Sequence, residues 1–282
     1  MASALYDPEH IARFYDDYGD LEWSRLEATL HGRAIHATHT AALERHLPVA
    51  ARVLEVGAGP GRFTIELARL GASVVATDIS PVQLEAHRSR LADLPAESAV
   101  VERRLADVSD LSVFGAAYYD ALVAYGGPIS YVFERAPRAL AEIHRVLKPG
   151  GVAFLSVMST LGATRIFRGA IAALAEQHGV VPIVDQVLAT GDLHDDRVAD
   201  SGHRCRMYRS HQITGLVAGA GLDVLEVSAA NFLFAELDQP ALPEVLAVEL
   251  LTREVELCRE PGVVDAGSHI IVVARKPASA SV

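Results

Sequence analysis

Cysteine, tryptophan and long apolar runs are scarce in this sequence. The chain of 282 residues has two cysteines and one tryptophan. Cys205 and Cys258 lie far apart and form no metal-binding or redox spacing, so we expect reduced thiols rather than a disulfide framework. No apolar run approaches the roughly 20 residues of a membrane span, and the charged N-terminal region is unlike a signal peptide. These absences predict a cytoplasmic protein without a membrane partner.

Basic residues are also in the minority. The sequence has 25 Lys and Arg against 36 Asp and Glu, a formal net charge of -11. Phosphate contacts need a clustered excess of lysine and arginine, so the charge argues against a nucleic-acid partner, although it leaves room for a local basic pocket. Half of the residues are hydrophobic, which is enough for the core of one large domain or of one domain with an insertion.

A glycine-rich turn organises the rest of the chain. Residues 53–56 are apolar apart from one acid, and Gly57, Gly59 and Gly61 follow directly. Residues 63–70 then show the apolar spacing of a helix. Glycine permits positive φ and lets a ligand approach the bare backbone, and the free N–H groups of the next helix face that ligand. The pattern predicts a buried strand, a binding turn and a helix N-terminus.

The glycine spacing discriminates between nucleotide ligands. A dinucleotide turn has glycine at its first, third and sixth positions, whereas Arg62 occupies the sixth position here. Arginine prevents close helix–strand packing around a pyrophosphate, which disfavours an NAD-dependent oxidoreductase. A second predicted strand, residues 73–77, leads into Asp78, about twenty residues after the first glycine, where a carboxylate can bind ribose hydroxyls. Together these features predict a nucleoside site without a pyrophosphate.

These residues resemble the first motif, Glu-x-Gly-x-Gly-x-Gly, and the second-strand acid of the class I S-adenosylmethionine-dependent methyltransferases. A second match, Arg145-Val146-Leu147-Lys148-Pro149-Gly150-Gly151, resembles the turn before strand five of small-molecule methyltransferases. The resemblance rests on specific motifs over about residues 50–160. In the rest of the chain it rests only on the order of the predicted helices and strands. It implies an α/β fold with a doubly wound, seven-stranded, mostly parallel Rossmann-like sheet whose last strand, residues 269–275, is antiparallel.

The resemblance also implies a domain organisation. Residues 1–47 would form an N-terminal helical lid, and residues 48–282 would form the methyltransferase domain. That domain would carry inserted segments at about 159–202 and 238–262. The first of them would help to build the acceptor pocket, since loops on a rigid scaffold often carry specificity. The alternative for the first insertion is a plain solvated connection.

The first lid helix has its own sequence signals. Asp7 followed by proline predicts its start and Gly19 its end. Apolar and aromatic residues, including Tyr15 and Tyr18, fall on one face of this helix. That face could close over the cofactor, or it could simply dock on the sheet with two core tyrosines.

S-adenosylmethionine is the cofactor that the resemblance implies. The predicted cofactor-binding residues are Tyr15, Glu55, Gly57, Ala58, Gly59, Gly61, Asp78, Ile79, Asp107, Val108 and Tyr125. Glu55 would orient the methionine ammonium group directly or through water, Asp78 would hold the ribose hydroxyls, and Ile79 would pack on adenine. Asp107 would bind the adenine amino group and the Val108 N–H a ring nitrogen, whereas Asp107 could alternatively be a helix cap.

The residues after the fourth predicted strand bear on the acceptor. Neither the Asn/Asp-Pro-Pro-Tyr/Phe motif for nucleic-acid amines nor the acid of metal-dependent catechol methyltransferases occurs there, and residues 126–128 offer a small-residue floor. His203, whose imidazole titrates near neutral pH, and Tyr18 are the predicted catalytic residues, with a structural role as the alternative for each. His36 and His39 are three residues apart but lack interleaved carboxylates, so no metal site is predicted.

The sequence therefore predicts transfer of a methyl group from S-adenosylmethionine to a small organic acceptor of the kind found in specialised metabolism. The alternative is a non-catalytic protein that binds S-adenosylmethionine and acts as a sensor or partner. The sequence leaves a homo-oligomer open.

Overall fold

The computed structural model describes residues 5–179, 186–194, 203–235 and 242–278. The strands in these ranges are β1 (Arg52–Val56), β2 (Ser73–Asp78), β3 (Val100–Leu105), β4 (Tyr119–Ala124), β5 (Leu147–Met158), β6 (Asp192–Leu193), β7 (Cys205–Arg206), β8 (Asp223–Ala230) and β9 (His269–Arg275). The α-helices are α1 (Pro8–Tyr18), α2 (Leu21–Ser24), α3 (Leu30–His46), α4 (Arg62–Arg69), α5 (Pro81–Leu91), α6 (Pro128–Tyr131), α7 (Ala136–Val146), α8 (Thr160–Ile166), α9 (Arg168–His178), α10 (Gln186–Thr190), α11 (Ser210–Gly219) and α12 (Glu244–Leu257).

One sheet of seven strands has the order β3-β2-β1-β4-β5-β9-β8. Neighbours among β1 to β5 are parallel, whereas β9 is antiparallel to both β5 and β8. This confirms the predicted seven-stranded, mostly parallel, Rossmann-like sheet. The strand order reverses between β1 and β4, and in such sheets ligands bind at the carboxyl ends of the strands beside the reversal.

Apolar strands and capped helices account for this architecture. Residues Val53 to Val56 of β1 are buried, as expected of a parallel strand covered by helices on both faces. One buried apolar cluster covers each face of the sheet. The Asp7 and Ser80 side chains accept hydrogen bonds from the first turns of α1 and α5, which fixes where both helices begin. Within the described ranges, no helix is both long enough and apolar enough to span a membrane.

Two segments after β5 have short secondary-structure elements. Residues 160–178 form two helices, α8 and α9, that meet at Phe167. Strand β7 is limited to Cys205 and Arg206. The reason is that Tyr208 leaves the hairpin with β6 and lies beside the end of β5, where its N–H donates to the Met158 carbonyl at 2.8 Å.

A plain solvated connection was the alternative for the first insertion, which includes an acidic segment after residue 190. Asp192 instead belongs to β6 and accepts two hydrogen bonds from Arg206 on β7, at 2.6 and 2.8 Å. The ion pair ties the two strands of the hairpin together. The other acids of the segment, within residues 195–202, lie outside the described residues, as do residues 238–241 of the second predicted insertion and the end of the tail, residues 279–282.

Candidate active site

A pocket lies at the carboxyl ends of β1, β2 and β4, where the strand order reverses. Its empty volume is about 840 Å³, part of it open to solvent, which is within the usual range of small-molecule sites. Nine of the predicted site residues line this pocket: Tyr15, Gly57, Ala58, Gly59, Asp78, Ile79, Asp107, Val108 and Tyr125. The sequence signals from five separate segments thus converge on one place.

The glycine turn is bent so that its backbone forms one wall. Gly57 has φ 69° and Gly61 has φ 96°, a left-handed conformation that favours glycine. A Cβ on Gly57 would lie 2.8 Å from Cγ of Pro128, so the turn after β1 touches the turn after β4. A Cβ on Gly61 would lie 2.7 Å from Cδ1 of Leu91 on α5. Gly61 therefore packs the turn against a helix and is not on the pocket wall.

Asp78 ends β2 and faces the pocket. Its Oδ2 accepts a hydrogen bond from the Gly59 N–H at 2.8 Å, and its Oδ1 accepts one from the Ser80 N–H at 2.9 Å. Burial raises the pKa of this carboxyl to about 6, against the opposing effect of those N–H groups. Each carboxylate oxygen can accept a second hydrogen bond, so ribose hydroxyls could bind the same group, with Ile79 beside it.

Glu55 is buried behind the glycine turn and is not among the described residues that line the pocket. The Arg103 Nε–H donates to Nδ1 of His87 at 2.9 Å, and Nε2 of His87 lies 2.9 Å from the Thr64 hydroxyl. That hydroxyl donates to Oε2 of Glu55 at 2.5 Å. Desolvation raises the pKa of Glu55 to about 8, so its carboxyl is protonated at neutral pH. A contact with the methionine ammonium stays a prediction.

Asp107 and Val108 form the adenine side of the predicted site. Oδ1 of Asp107 accepts from the Ser109 N–H at 2.7 Å, the turn-capping bond that was the alternative role. Its Oδ2 also accepts from the Tyr6 hydroxyl at 2.5 Å, so the N-terminal segment reaches this edge. Tyr6 lines the pocket but was missed, because no sequence spacing connects it to Asp107.

The predicted catalytic residues stand beside the pocket and do not line it. The Tyr15 hydroxyl donates to the Tyr131 hydroxyl at 2.5 Å, and the Tyr131 hydroxyl lies 3.0 Å from Nε2 of His203. Nε2 of His203 is thus already engaged in a hydrogen bond with Tyr131. Burial lowers the pKa of His203 to about 4. Tyr18 stacks on Phe14 at 5.9 Å between ring centroids. Their roles as bases stay predictions.

An ion pair on the pocket wall was also missed. Glu22 of α2 and Arg25 directly after it line the pocket and are joined by contacts of 2.6 and 2.5 Å. Glu22 Cγ is 3.5 Å from the position of a Cβ on Gly59, and Arg25 Nη2 is 3.4 Å from that on Gly126. The pair therefore spans the gap between the turns after β1 and β4. Its i,i+3 spacing was a visible signal, but such pairs are common on surface helices.

This donor set fits S-adenosylmethionine. Its amino-acid end carries an ammonium and a carboxylate, which Glu22 and Arg25 match in charge. Asp78 provides acceptors for ribose hydroxyls, and Asp107 provides one for an exocyclic amine. No group of three or more His, Cys, Asp or Glu side chains within the described parts of the chain is placed to hold a metal ion.

Comparisons with known proteins agree with this fold. Residues 53–151 match the family model of a methyltransferase domain. The chain is 36% identical over 135 residues to a ubiquinone biosynthesis O-methyltransferase of Xanthomonas axonopodis pv. citri (strain 306), covering 45% of this chain and 53% of that protein. It is 35% identical over 107 residues to the S-adenosyl-L-methionine-dependent Diels-Alderase iccD of Talaromyces variabilis, covering 37% of this chain and 35% of the relative. The chain thus spans about half, or less, of the length of these curated relatives.

The crystal structure of the Burkholderia thailandensis 1,6-didemethyltoxoflavin-N1-methyltransferase superposes with a TM-score of 0.55 at 19% identity, covering 98% of this chain and 93% of that one. At that identity the likeness speaks for the fold alone. Fold and pocket define a Rossmann-like methyltransferase domain. The methyltransferase-domain match and the O-methyltransferase relative support a class I S-adenosylmethionine-dependent methyltransferase, and the matching domain implies S-adenosylmethionine as the cofactor.

Proposed function

We propose that this protein transfers a methyl group from S-adenosylmethionine to a small organic acceptor. The observation that carries the proposal is the convergence of the glycine turn, Asp78, Asp107 and the Glu22–Arg25 pair on one pocket at the sheet reversal. The match to an O-methyltransferase over 135 residues supports the reaction class. An acceptor from specialised metabolism is the substrate we favour.

Each part of the pocket has a proposed role in holding the cofactor. The glycine turn admits the methionine and ribose parts, and Asp78 accepts hydrogen bonds from the ribose hydroxyls. Arg25 binds the methionine carboxylate and Glu22 the ammonium group, each replacing its present partner. When bound, the cofactor supplies a methyl group on a sulfonium centre.

The acceptor is proposed to enter between the turn after β4 and the segments that follow β5. Tyr125, Gly126 and Pro128 line the pocket on this side. Residues 1–47 would act as a lid, with Tyr15 tied to Tyr131 across the opening. The protein's main contribution would be alignment and exclusion of water, and good alignment can lower a barrier by roughly 7–11 kcal/mol.

A second candidate function is binding of S-adenosylmethionine without methyl transfer. The observation that favours it is the 35% identity to a relative named as a Diels-Alderase that depends on S-adenosylmethionine. In that case the same pocket would serve a different reaction, or serve a sensor that carries out no reaction.

Two measurements on the full chain decide between these functions. Calorimetric titration with S-adenosylmethionine and, separately, NAD is expected to show binding of the first alone. Incubation of the protein with S-adenosylmethionine and a panel of phenols, amines and carboxylic acids is expected to release S-adenosylhomocysteine, detected by mass spectrometry. Binding without release across the panel would favour the second candidate, and absence of binding would refute both.

A further inference from the structure

The single tryptophan of the sequence, Trp23 on α2, contacts two arginines of neighbouring helices. Cζ of Arg62, the first residue of α4, is 3.7 Å from the centroid of the tryptophan ring. Cζ of Arg90, near the end of α5, is 5.2 Å from it. A guanidinium is attracted electrostatically to the face of an indole ring. The two contacts therefore join α2 to α4 and α5.

The segment from Asp20 to Glu27 is held at further points by the same two arginines. The Arg62 Nε–H donates to the Trp23 carbonyl at 3.0 Å, and Nη2 of Arg62 donates to the Glu27 carboxylate. Arg90 forms an ion pair with Asp20 at 2.7 Å. The segment is thus attached to α4 and α5 at both of its ends and in its middle.

This segment also carries the charged pair of the pocket wall. Glu22 and Arg25 flank Trp23 in the chain, and both of them line the pocket. Arg62, directly after the glycine turn, lines the pocket as well. Cγ of Glu22 is 3.5 Å from the position of a Cβ on Gly59. The contacts of Trp23 therefore help to set the position of the charged pair relative to the glycine turn.

Apolar packing alone does not fix the segment. Leu26 is buried, but no residue of α2 is buried and Leu21 is 61% exposed. A helix of four residues is also far too short to be stable by itself. The position of α2 therefore depends on its ion pairs, its hydrogen bonds and the contacts of its indole ring.

We propose that Trp23 is a positioning residue: its contacts with the two arginines hold the Glu22–Arg25 pair over the glycine turn and so determine recognition of the amino-acid end of the cofactor. This inference rests on the proposed function, in which Arg25 binds the carboxylate and Glu22 the ammonium group. Partners that are already ordered lose less conformational freedom on binding, so a fixed segment raises the affinity for a ligand that carries both groups. A ligand that lacks both groups gains nothing from Trp23.

Two ligands separate this role from a general effect on the fold. S-adenosylhomocysteine carries the adenosine, the ammonium and the carboxylate, whereas 5′-methylthioadenosine lacks the amino-acid groups. By calorimetry, Trp23→Leu is expected to bind S-adenosylhomocysteine about 2- to 30-fold more weakly than the wild type, the range for a lost cation–π contact. Its affinity for 5′-methylthioadenosine should be unchanged. Trp23→Phe keeps an aromatic face and should retain most of the affinity for S-adenosylhomocysteine.

Tyr118→Leu is the matched control. The Tyr118 ring lies 4.5 Å from Cζ of Arg52, a contact of the same kind, and neither residue is among the described residues that line the pocket. Both affinities should stay as in the wild type. Unchanged binding of S-adenosylhomocysteine in Trp23→Leu, or equal losses for the two ligands, would overturn the proposal. Failure of the wild type to bind either ligand would instead refute the proposed function.

A second readout requires no variant. The sequence has one tryptophan, so tryptophan fluorescence reports on Trp23 alone. S-adenosylhomocysteine bridges to the charged pair and should reduce the quenching of this fluorescence by acrylamide, whereas 5′-methylthioadenosine should leave it unchanged. Quenching that does not respond to S-adenosylhomocysteine, or that both ligands reduce equally, would refute the inference while the cofactor part of the proposed function stands.

Discussion

Glu22 and Arg25 face each other across the mouth of the pocket in a two-point ion pair, with contacts of 2.6 and 2.5 Å. Both side chains are partly buried, at 14% and 28% of their full exposure. A partly desolvated pair is less screened than a surface pair. It therefore places a negative and a positive charge side by side. The ammonium and carboxylate groups of an amino acid could replace the two partners, so that each charge would still be paired.

Replacing either member of this pair should weaken the binding of the cofactor. We expect Arg25→Gln and Glu22→Gln each to reduce the affinity for S-adenosylmethionine by about 1.5–3 kcal/mol, the worth of a hydrogen bond to a charged group. Calorimetry on the purified variants measures this.

The matched control for that pair is Arg88→Gln. Arg88 and Glu85 on α5 have the same i,i+3 spacing at 2.7 Å, but both are exposed. Their loss should leave cofactor affinity unchanged, because exposed pairs contribute little. Equal affinities for Arg25→Gln and Arg88→Gln would remove the Glu22–Arg25 pair from the site.

Asp78 gives a prediction that combines mutation with pH. Asp78→Ala should weaken S-adenosylmethionine binding by about 1.5–3 kcal/mol, because the ribose hydroxyls lose a charged acceptor. Since burial raises the pKa of Asp78 to about 6, wild-type affinity should rise as the pH increases through that value. Asp78→Asn cannot ionise and should lack this rise. An identical pH dependence in both proteins would mean that another group titrates.

Glu55 should make the folded state less stable at high pH. Its pKa is raised from 4.5 to about 8 by burial, so the folded protein holds this proton more tightly than the unfolded chain does. The folded state is therefore favoured most below the unfolded value, and that contribution is lost as the pH rises from 4.5 towards about 8.

Glu55→Gln tests this linkage. The amide cannot ionise, and its oxygen can still accept from Thr64. Urea unfolding in steps across that pH range should give a free energy of unfolding that declines in the wild type and declines less in Glu55→Gln. If the free energy of unfolding changed with pH in the same way in both proteins, the raised pKa of Glu55 would be contradicted.

Gly61→Ala should destabilise the protein by about 1–3 kcal/mol through steric strain. The added Cβ would lie 2.7 Å from Cδ1 of Leu91, and the backbone has φ 96°. Gly215→Ala on α11 is the control, because a Cβ there meets nothing within 4 Å. It should be stabilising by about 0.5–1 kcal/mol, the ordinary helix preference for alanine. Thermal unfolding of both variants would check the difference in sign.

The parts of the site that could be predicted from the sequence are those marked by a short local motif. The glycine turn and Asp78 each lie at the end of a strand that is recognisable by its apolar residues. Because β1 and β2 are parallel neighbours, their carboxyl ends lie side by side. Confirmation of the sheet order therefore places these residues side by side. Glu55 was visible for the same reason, but its hydrogen bond with Thr64 depends on how α4 packs against β1.

Other groups could not be found in this way. The rings of His39 and His269 lie 6.4 Å apart, although His39 is on α3 near the start of the chain and His269 begins the last strand. Only the insertion of β9 between β5 and β8 brings them to one edge. The Glu22–Arg25 pair resembles any surface ion pair until α2 is positioned, and Arg62 helps to position it by donating to the Trp23 carbonyl at 3.0 Å. Arg62, whose position in the glycine turn disfavours a dinucleotide, thus has a structural role.

The contact between Gly57 and Pro128 has a practical consequence for redesign. The two turns are in close contact, so a side chain added at position 57 would clash with Pro128. The clash would push the turn after β1 away from the turn after β4. Attempts to alter substrate preference should leave this contact intact and vary the segments after β5. We expect such changes to leave the binding of the methyl donor unaffected, because no described residue of those segments lines the pocket.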